Sequence, residues 1–141
     1  MNLSLIDAFG KFGARPDNRL RGLSAMAADG AMVLNCQQAY FAHPSRGVLR
    51  YEDRLSRESA DSKDAQLLGQ HLTLARDGAL PVRMVVTFLV EGKSGSNSRR
   101  CHIRPDLIGK VVTFDGDLFI IDFARREATR DAATNMSGGR K

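Results

Sequence analysis

The sequence has no tryptophan and only two cysteines among its 141 residues. Two cysteines, Cys36 and Cys101, are too few for a disulfide scaffold, and we expect both thiols to be reduced and buried. The apolar runs are far shorter than the ~18 residues that a membrane span needs, so we expect no membrane partner. The chain also begins without a basic segment followed by an apolar one, which predicts a cytoplasmic protein without a secretory signal.

Linear motifs of metal sites and enzymes are also missing. The candidate soft ligands do not show the paired short spacings of structural zinc sites; they are Cys36, His43, His71, Cys101 and His102. No serine lies in a nucleophile elbow, and no glycine-rich segment matches a P-loop or a dinucleotide fingerprint. We therefore expect no metal, no cofactor and no catalytic residue, and a binding domain is favoured over an enzyme.

What is present is the composition of a globular domain. Apolar residues make up 43% of the chain and charged residues 26%, close to the averages of globular proteins, and this length fits one core. We expect a single globular domain over residues 1–126 and a mobile basic tail over 127–141. The tail has no apolar periodicity, so it cannot bury enough surface to offset its ordering entropy.

Turn signals and apolar spacing predict the elements of this domain. The pairs Asp29-Gly30 and Asp115-Gly116 each lie between apolar stretches and predict two tight β-hairpins. The first hairpin has strands near 20–27 and 31–37. In the second hairpin, three apolar residues of the first arm are predicted to share one face: Ile108, Val112 and Phe114.

The remaining segments add two helices and a central strand. Apolar spacing predicts helices over 3–12 and from about 62 onward, with Gly78 as the residue that follows the second helix. The β-branched run 82–90 predicts a central strand covered on both faces. We expect a long loop with one short strand near 48–52 over 38–60, and a flexible turn at EGKSGSNSRR.

Together these elements predict an α+β domain with two helices and a mainly antiparallel sheet of five or six strands, curled or partly closed. The chain resembles a group of small bacterial proteins in four short pieces. They are Asn18-Arg19 before Ser24-Ala25, the Asp29-Gly30 hairpin, the helix that leads into the apolar strand, and Arg104-Pro105-Asp106-Leu107. The resemblance implies a compact single domain, and it implies no activity.

Positive charge is in excess, with 21 Lys and Arg against 16 Asp and Glu. Arginines cluster beside the first hairpin, in the long loop and before the last hairpin. If the sheet brings these segments together, they form a basic groove for a phosphate backbone, with a tyrosine ring for base stacking. The predicted nucleic-acid-binding residues are Arg15, Arg19, Arg21, Arg46, Arg50, Arg54, Tyr51, Arg99, Arg100, Arg104 and Lys110. The alternative is a salt-bridged surface, because acids lie among these arginines.

The leading functional hypothesis is a small non-enzymatic nucleic-acid-binding or accessory domain whose partner is DNA or RNA. The competing hypothesis is a protein-interaction or oligomerisation module, whose partner is another protein or a second copy of the chain. A metal-dependent nuclease is the third hypothesis, and it requires Glu52, Asp106 and Asp122 to meet in one cleft.

Overall fold

The computed structural model describes residues 3–19, 22–59, 61–92, 95 and 97–125. Within these ranges the chain forms two α-helices, α1 (Leu5–Gly10) and α2 (Lys63–Gly78). The strands are β1 (Ser24–Met26), β2 (Met32–Gln37), β3 (Phe41–Ser45), β4 (Val48–Arg54), β5 (Val82–Glu91), β6 (Asn97–Ile103), β7 (Leu107–Phe114) and β8 (Leu118–Arg125). Arg21 and the predicted tail over 127–141 lie outside the described residues.

All of these strands belong to one sheet of eight strands. Seven follow the order β1-β2-β5-β7-β8-β4-β3, and β6 pairs with β5. Paired strands are antiparallel except β2 and β5, which run parallel. The predictions of an α+β domain, two helices and a mainly antiparallel sheet are confirmed. The prediction of five or six strands is wrong, and the sheet that the described residues form is not closed.

The additional strands lie in segments predicted to be irregular. The stretch 38–60 contains the hairpin β3–β4 rather than a loop with one short strand. The last residues of EGKSGSNSRR form the start of β6 rather than a turn. Most described side chains of β3 are exposed, and Arg99 and Arg100 of β6 are exposed as well. Neither strand therefore shows the apolar alternation by which a strand is recognised in a sequence.

Each face of the sheet is covered by one helix. On the face covered by α2, here called the α2 face, Leu72 packs in a core that includes Leu34 and Phe123. On the opposite face, here called the α1 face, Phe9 packs in a second core that includes Val33. β2 and β5 contribute to both cores, so the central position predicted for the 82–90 strand is confirmed.

The two cysteines lie in different cores. Cys36 belongs to the core of the α2 face and Cys101 to the core of the α1 face. Both thiols are free and buried, as expected. Burial raises the pKa of both thiols, and for Cys36 the nearby carboxylate of Asp53 raises it further.

The start of α2 is capped by a side chain, and α2 ends one residue later than predicted. The Ser62 hydroxyl accepts a hydrogen bond from the backbone N–H of Ala65 at 3.1 Å, which caps the first turn. At the other end Gly78 remains helical, and Ala79 takes the left-handed conformation with φ 51°. The prediction that Gly78 follows the helix is wrong by one residue. None of the described helices has the length and apolar character to cross a membrane.

The last hairpin departs from the predicted alternation because β7 contains a bulge. The pairing of β7 with β8 shifts register between Val111 and Thr113. As a result Phe114 is buried whereas Val112 is 46% exposed, and the prediction that Ile108, Val112 and Phe114 share one face is wrong. Upstream of the bulge, a Cβ at Gly109 would lie 2.6 Å from the Phe123 ring. Glycine is therefore needed there for the two strands to pack.

Candidate functional site

Three adjoining cavities lie between the start of α1, the first turns of α2 and the end of β2. The first, of about 1040 Å³, is lined mainly by residues 17–19 and by α2. The second, of about 360 Å³, shares Ser4 and Arg19 with the first and Asn35 and Arg99 with the third. The third, of about 260 Å³, lies among β2, β4 and the short turn 38–40. We call the three cavities together the groove.

The floor of the second cavity consists of two polar side chains on the apolar strands β2 and β5, with Cys101 beside them. Asn35 of β2 and Thr87 of β5 are 8% and 6% exposed, and Cys101 of β6 is 3% exposed. The Asn35 side-chain Nδ2 donates to the Gly22 carbonyl oxygen at 2.9 Å, and the Asn35 Oδ1 accepts a hydrogen bond from the Thr87 hydroxyl. The parallel pairing of β2 with β5 brings Asn35 and Thr87 together from distant parts of the chain.

A glycine holds the segment that carries Arg19 against this floor. The Gly22 N–H donates to the Asn18 carbonyl oxygen at 2.9 Å. A Cβ at position 22 would lie 2.6 Å from the Pro16 Cβ and 2.8 Å from the Asn18 oxygen, so the approach requires glycine. Because the Gly22 carbonyl also accepts from Asn35, the 16–19 segment and the floor are tied to one another.

Three arginines surround the second cavity, and all three are exposed: Arg19, Arg99 and Arg100. In the described ranges, none of them has a carboxylate oxygen within 4.0 Å. Its lining includes no aspartate or glutamate from the part of the chain that the structure describes. Five other arginines are each paired with an aspartate: Arg50, Arg54, Arg57, Arg76 and Arg104. The second cavity therefore has an uncompensated positive charge within the part of the chain described.

The third cavity combines tyrosine rings with a paired arginine. The Arg57 guanidinium lies 4.0 Å from the centroid of the half-buried Tyr40 ring and also bonds the Asp53 carboxylate. The Tyr51 hydroxyl accepts from the Gln37 backbone N–H at 2.9 Å and donates to Asp53 at 3.3 Å. Burial raises the pKa of Tyr51 far above its ordinary value, so Tyr51 is a neutral phenol at physiological pH.

Five of the predicted nucleic-acid-binding residues lie at the groove: Arg19, Tyr51, Arg54, Arg99 and Arg100. Arg54 is held there by an ion pair of 3.2 Å with Asp117. Tyr51 also lines the third cavity, but it is 1% exposed, so its ring offers no free face to a base. Tyr40 is the more exposed of the two groove tyrosines and is half-buried.

The other predicted contacts do not line the groove. Arg50 forms two hydrogen bonds with Asp122, at 2.7 and 2.8 Å, on the face of β4 opposite to Tyr51. Arg104 forms two hydrogen bonds with Asp106, at 3.0 and 2.9 Å. Three more are exposed residues that line none of the three cavities: Arg15, Arg46 and Lys110.

The carboxylates of the nuclease hypothesis do not meet. Hydrogen bonds from Arg50 lower the pKa of Asp122, and those from Arg104 lower the pKa of Asp106. Glu52 lies opposite Ile120 of β8 and is exposed. Among the described residues no group of three or more His, Cys, Asp or Glu side chains is placed to hold a metal ion. The geometric condition that this hypothesis requires is therefore not met.

Sequence reasoning missed the polar floor. Asn35 and Thr87 are single polar residues in apolar strands, and each is ordinarily explained as an exposed strand position. One signal for Asn35 is present in the sequence of β2. Asn35 lies two residues from Val33 and therefore shares its face of the strand, and Val33 is buried. A polar residue on a buried face needs a partner, and that requirement points to Asn35 but does not identify Thr87 or Gly22.

Within the described residues, the groove thus joins a buried polar floor, three arginines without an acidic partner and a half-buried tyrosine, from segments that are far apart in the chain. Comparisons with known proteins identify no relative of the chain: no family model, no curated protein and no solved structure matches it.

Proposed function

We propose that this protein is a non-enzymatic domain that binds single-stranded DNA or RNA in the groove. The observation that carries the proposal is that Arg19, Arg99 and Arg100 line one cavity, without an acidic partner among the described residues. Arginines that neutralise phosphates release condensed counterions, and this release supplies most of the affinity of a non-specific complex. An uncompensated cluster is therefore available for phosphate, whereas Arg50 and Arg104 are already occupied.

The shape of the groove favours a single strand over a duplex. Duplex readers insert a protruding helix or β-ribbon into a DNA groove, whereas the three cavities are recesses. Single-strand binders combine a positive recess with an aromatic ring on which a base stacks. The half-buried Tyr40, with Arg57 against its ring, supplies such a surface beside the arginines.

A protein-interaction module has weaker support. The large exposed apolar side chains of the described residues are Leu74, Leu89 and Val112. They lie on three different elements, α2, β5 and β7. Single exposed apolar residues are usual on monomeric proteins, and an interface is marked instead by a contiguous patch.

Binding of a fluorescent single-stranded oligonucleotide at several salt concentrations tests the proposal. We expect measurable affinity at low salt and a steep loss as salt rises. The triple variant Arg19→Gln/Arg99→Gln/Arg100→Gln should bind about tenfold to a hundredfold more weakly. The slope of log K against log salt should fall by about 2, because each single-strand phosphate contact contributes about 0.7.

The matched control is Arg15→Gln/Arg46→Gln/Lys110→Gln, which removes the same charge from outside the groove. It should retain the affinity and most of the salt slope. Equal losses in both triple variants would show that only net charge matters, and no binding by the unmodified protein at low salt would refute the proposed function.

A further inference from the structure

The second cavity has a floor that α1 does not cover. Asn35 and Thr87 lie two residues beyond Val33 and Val85, which belong to the core under α1. The sheet therefore continues past α1 and forms the base of a recess of about 360 Å³. The α1 face here is polar rather than apolar, and both polar side chains are more than nine-tenths buried.

The hydrogen bonds of the floor fix the orientation of the Asn35 amide. Its Oδ1 accepts from the Thr87 hydroxyl, and one of its two Nδ2–H bonds points to the Gly22 carbonyl oxygen. An asparagine amide carries two N–H donors, so the second donor is left without an acceptor among the described residues. Thr87 acts through Asn35 and is a positioning residue, while Asn35 offers the donor.

The rim of the cavity adds further donors and positive charge. Arg19 of the 16–19 segment and Arg99 and Arg100 of β6 line it. Of the two neighbours on β6, Arg99 shares the sheet face of Thr87 and Cys101. Each guanidinium carries five N–H donors and no acceptor. Because the described lining contains arginines and no acid, it suits an anion with several oxygens rather than a neutral ligand.

We propose that the second cavity binds a phosphate monoester, supplied by the end of a strand that lies in the groove. A monoester carries up to two negative charges and three terminal oxygens, which match the arginines that line the cavity and an amide donor. An internal diester has one charge and only two terminal oxygens, so it offers these donors fewer acceptors. The proposal rests on the proposed function for the source of the phosphate, because free phosphate has the same chemistry.

The test compares four probes with the full-length chain by titration calorimetry. They are inorganic phosphate and one oligonucleotide sequence with a 5′-phosphate, with a 3′-phosphate or with neither. We expect at least one phosphorylated end to bind about tenfold more tightly than the unphosphorylated strand, as charge-assisted hydrogen bonds to a buried site would produce. The variant Arg99→Gln/Arg100→Gln should reduce this ratio to about one, and Arg15→Gln/Arg46→Gln should leave it unchanged.

A second variant tests the floor, because substitution of Asn35 could disturb the fold through Gly22. Thr87→Val keeps the side-chain shape and removes the hydroxyl that orients the amide. It should reduce the preference for a phosphorylated end while the affinity for the unphosphorylated strand stays the same. An unchanged preference in both Thr87→Val and Arg99→Gln/Arg100→Gln would overturn the proposal, because the phosphate would then bind elsewhere.

The outcomes also separate this proposal from the proposed function. Equal binding of all three strands, with no response to inorganic phosphate, would overturn the monoester site and leave single-strand binding in place. Binding of inorganic phosphate that is lost in Arg99→Gln/Arg100→Gln, without binding of any strand, would refute nucleic-acid binding and identify free phosphate or a small phosphorylated molecule as the source. No response to any probe would overturn both.

Discussion

At the scale of single residues, a buried hydrogen bond joins α2 to the edge strand β1. The Ser24 Oγ lies 2.7 Å from the His71 Nδ1, and the two residues are 3% and 9% exposed. Burial lowers the pKa of His71, while the Asp17 carboxylate opposes this effect and raises it. The net direction is downward, so the folded protein favours a neutral imidazole at this position.

This lowered pKa predicts that the protein loses stability in mild acid. Unfolded His71 takes up a proton near its ordinary pKa of about 6.5, whereas folded His71 does so only at lower pH. The unfolded state therefore binds more protons in this window, and the free energy of unfolding falls as the pH drops below about 6.5. Urea unfolding between pH 8 and pH 5 measures the effect.

His71→Gln provides the control, because glutamine can bond Ser24 and does not titrate. It should flatten the pH dependence near pH 6, and His102→Gln should flatten it less. Burial also lowers the pKa of His102, so His102 adds to the slope with the same sign. A slope that is as steep in His71→Gln as in the unmodified protein would assign the pH dependence to other groups.

The sequence indicates part of this arrangement. His71 lies beside Leu67 and Leu74 on the predicted helix, which is typical of a histidine at the edge of a core, and in the structure it is buried. Its partner Ser24 is 47 residues away in the chain. Helical spacing is a local property, and it carries no information about which strand the helix covers.

At the scale of elements, Gly78 and Ala79 at the end of α2 each occupy the position where the other residue type would be more stable. Gly78 is helical, where glycine costs up to about 1 kcal/mol relative to alanine. Ala79 has φ 51°, where a non-glycine residue costs about 1–2 kcal/mol. A Cβ at position 78 would meet Leu80 at an ordinary 3.5 Å, so the space for alanine exists.

We therefore predict that Gly78→Ala/Ala79→Gly raises the free energy of unfolding by about 1–2 kcal/mol. Urea denaturation of the double variant and of both single variants measures the change. Most of the gain should come from Ala79→Gly, since Gly78 is the last helical residue and frays. A loss of stability in Ala79→Gly would contradict the assignment of strain to this position.

Elements with local chemical signals were predictable, and elements without them were not. Gly30 and Gly116 both have positive φ in the two hairpin turns that the Asp-Gly pairs predict. The hairpin β3–β4 turns at Gly47, which also has positive φ. Its first arm includes a proline and mostly exposed side chains, and so it lacks the alternation that identifies a strand.

At the scale of the whole molecule, tertiary pairing decides which arginines are available to a ligand. The sequence shows that arginines and acids alternate along the chain, but not which of them meet. Asp122 forms an ion pair with Arg50, and Asp117 forms one with Arg54. The sheet then leaves Arg19, Arg99 and Arg100 around one cavity. The composition predicts that arginines form the site. Which arginines lie there depends on strand order and register, which the composition does not show.

The thiols of Cys36 and Cys101 lie on opposite faces of the sheet. The labelling rate of each thiol therefore measures the local opening of one face. A thiol-alkylating reagent needs the thiolate, and both sites must open before it can react. Cys101 lies in the core under α1, a helix of 6 residues, and Cys36 in the core under α2, a helix of 16 residues. Regions that bury less apolar surface open at lower free energy. We predict two labelling rates by mass spectrometry, with Cys101 faster and Cys36 approaching the rate of global unfolding. The variants Cys36→Ala and Cys101→Ala assign the two rates, and equal rates would mean that both faces open together.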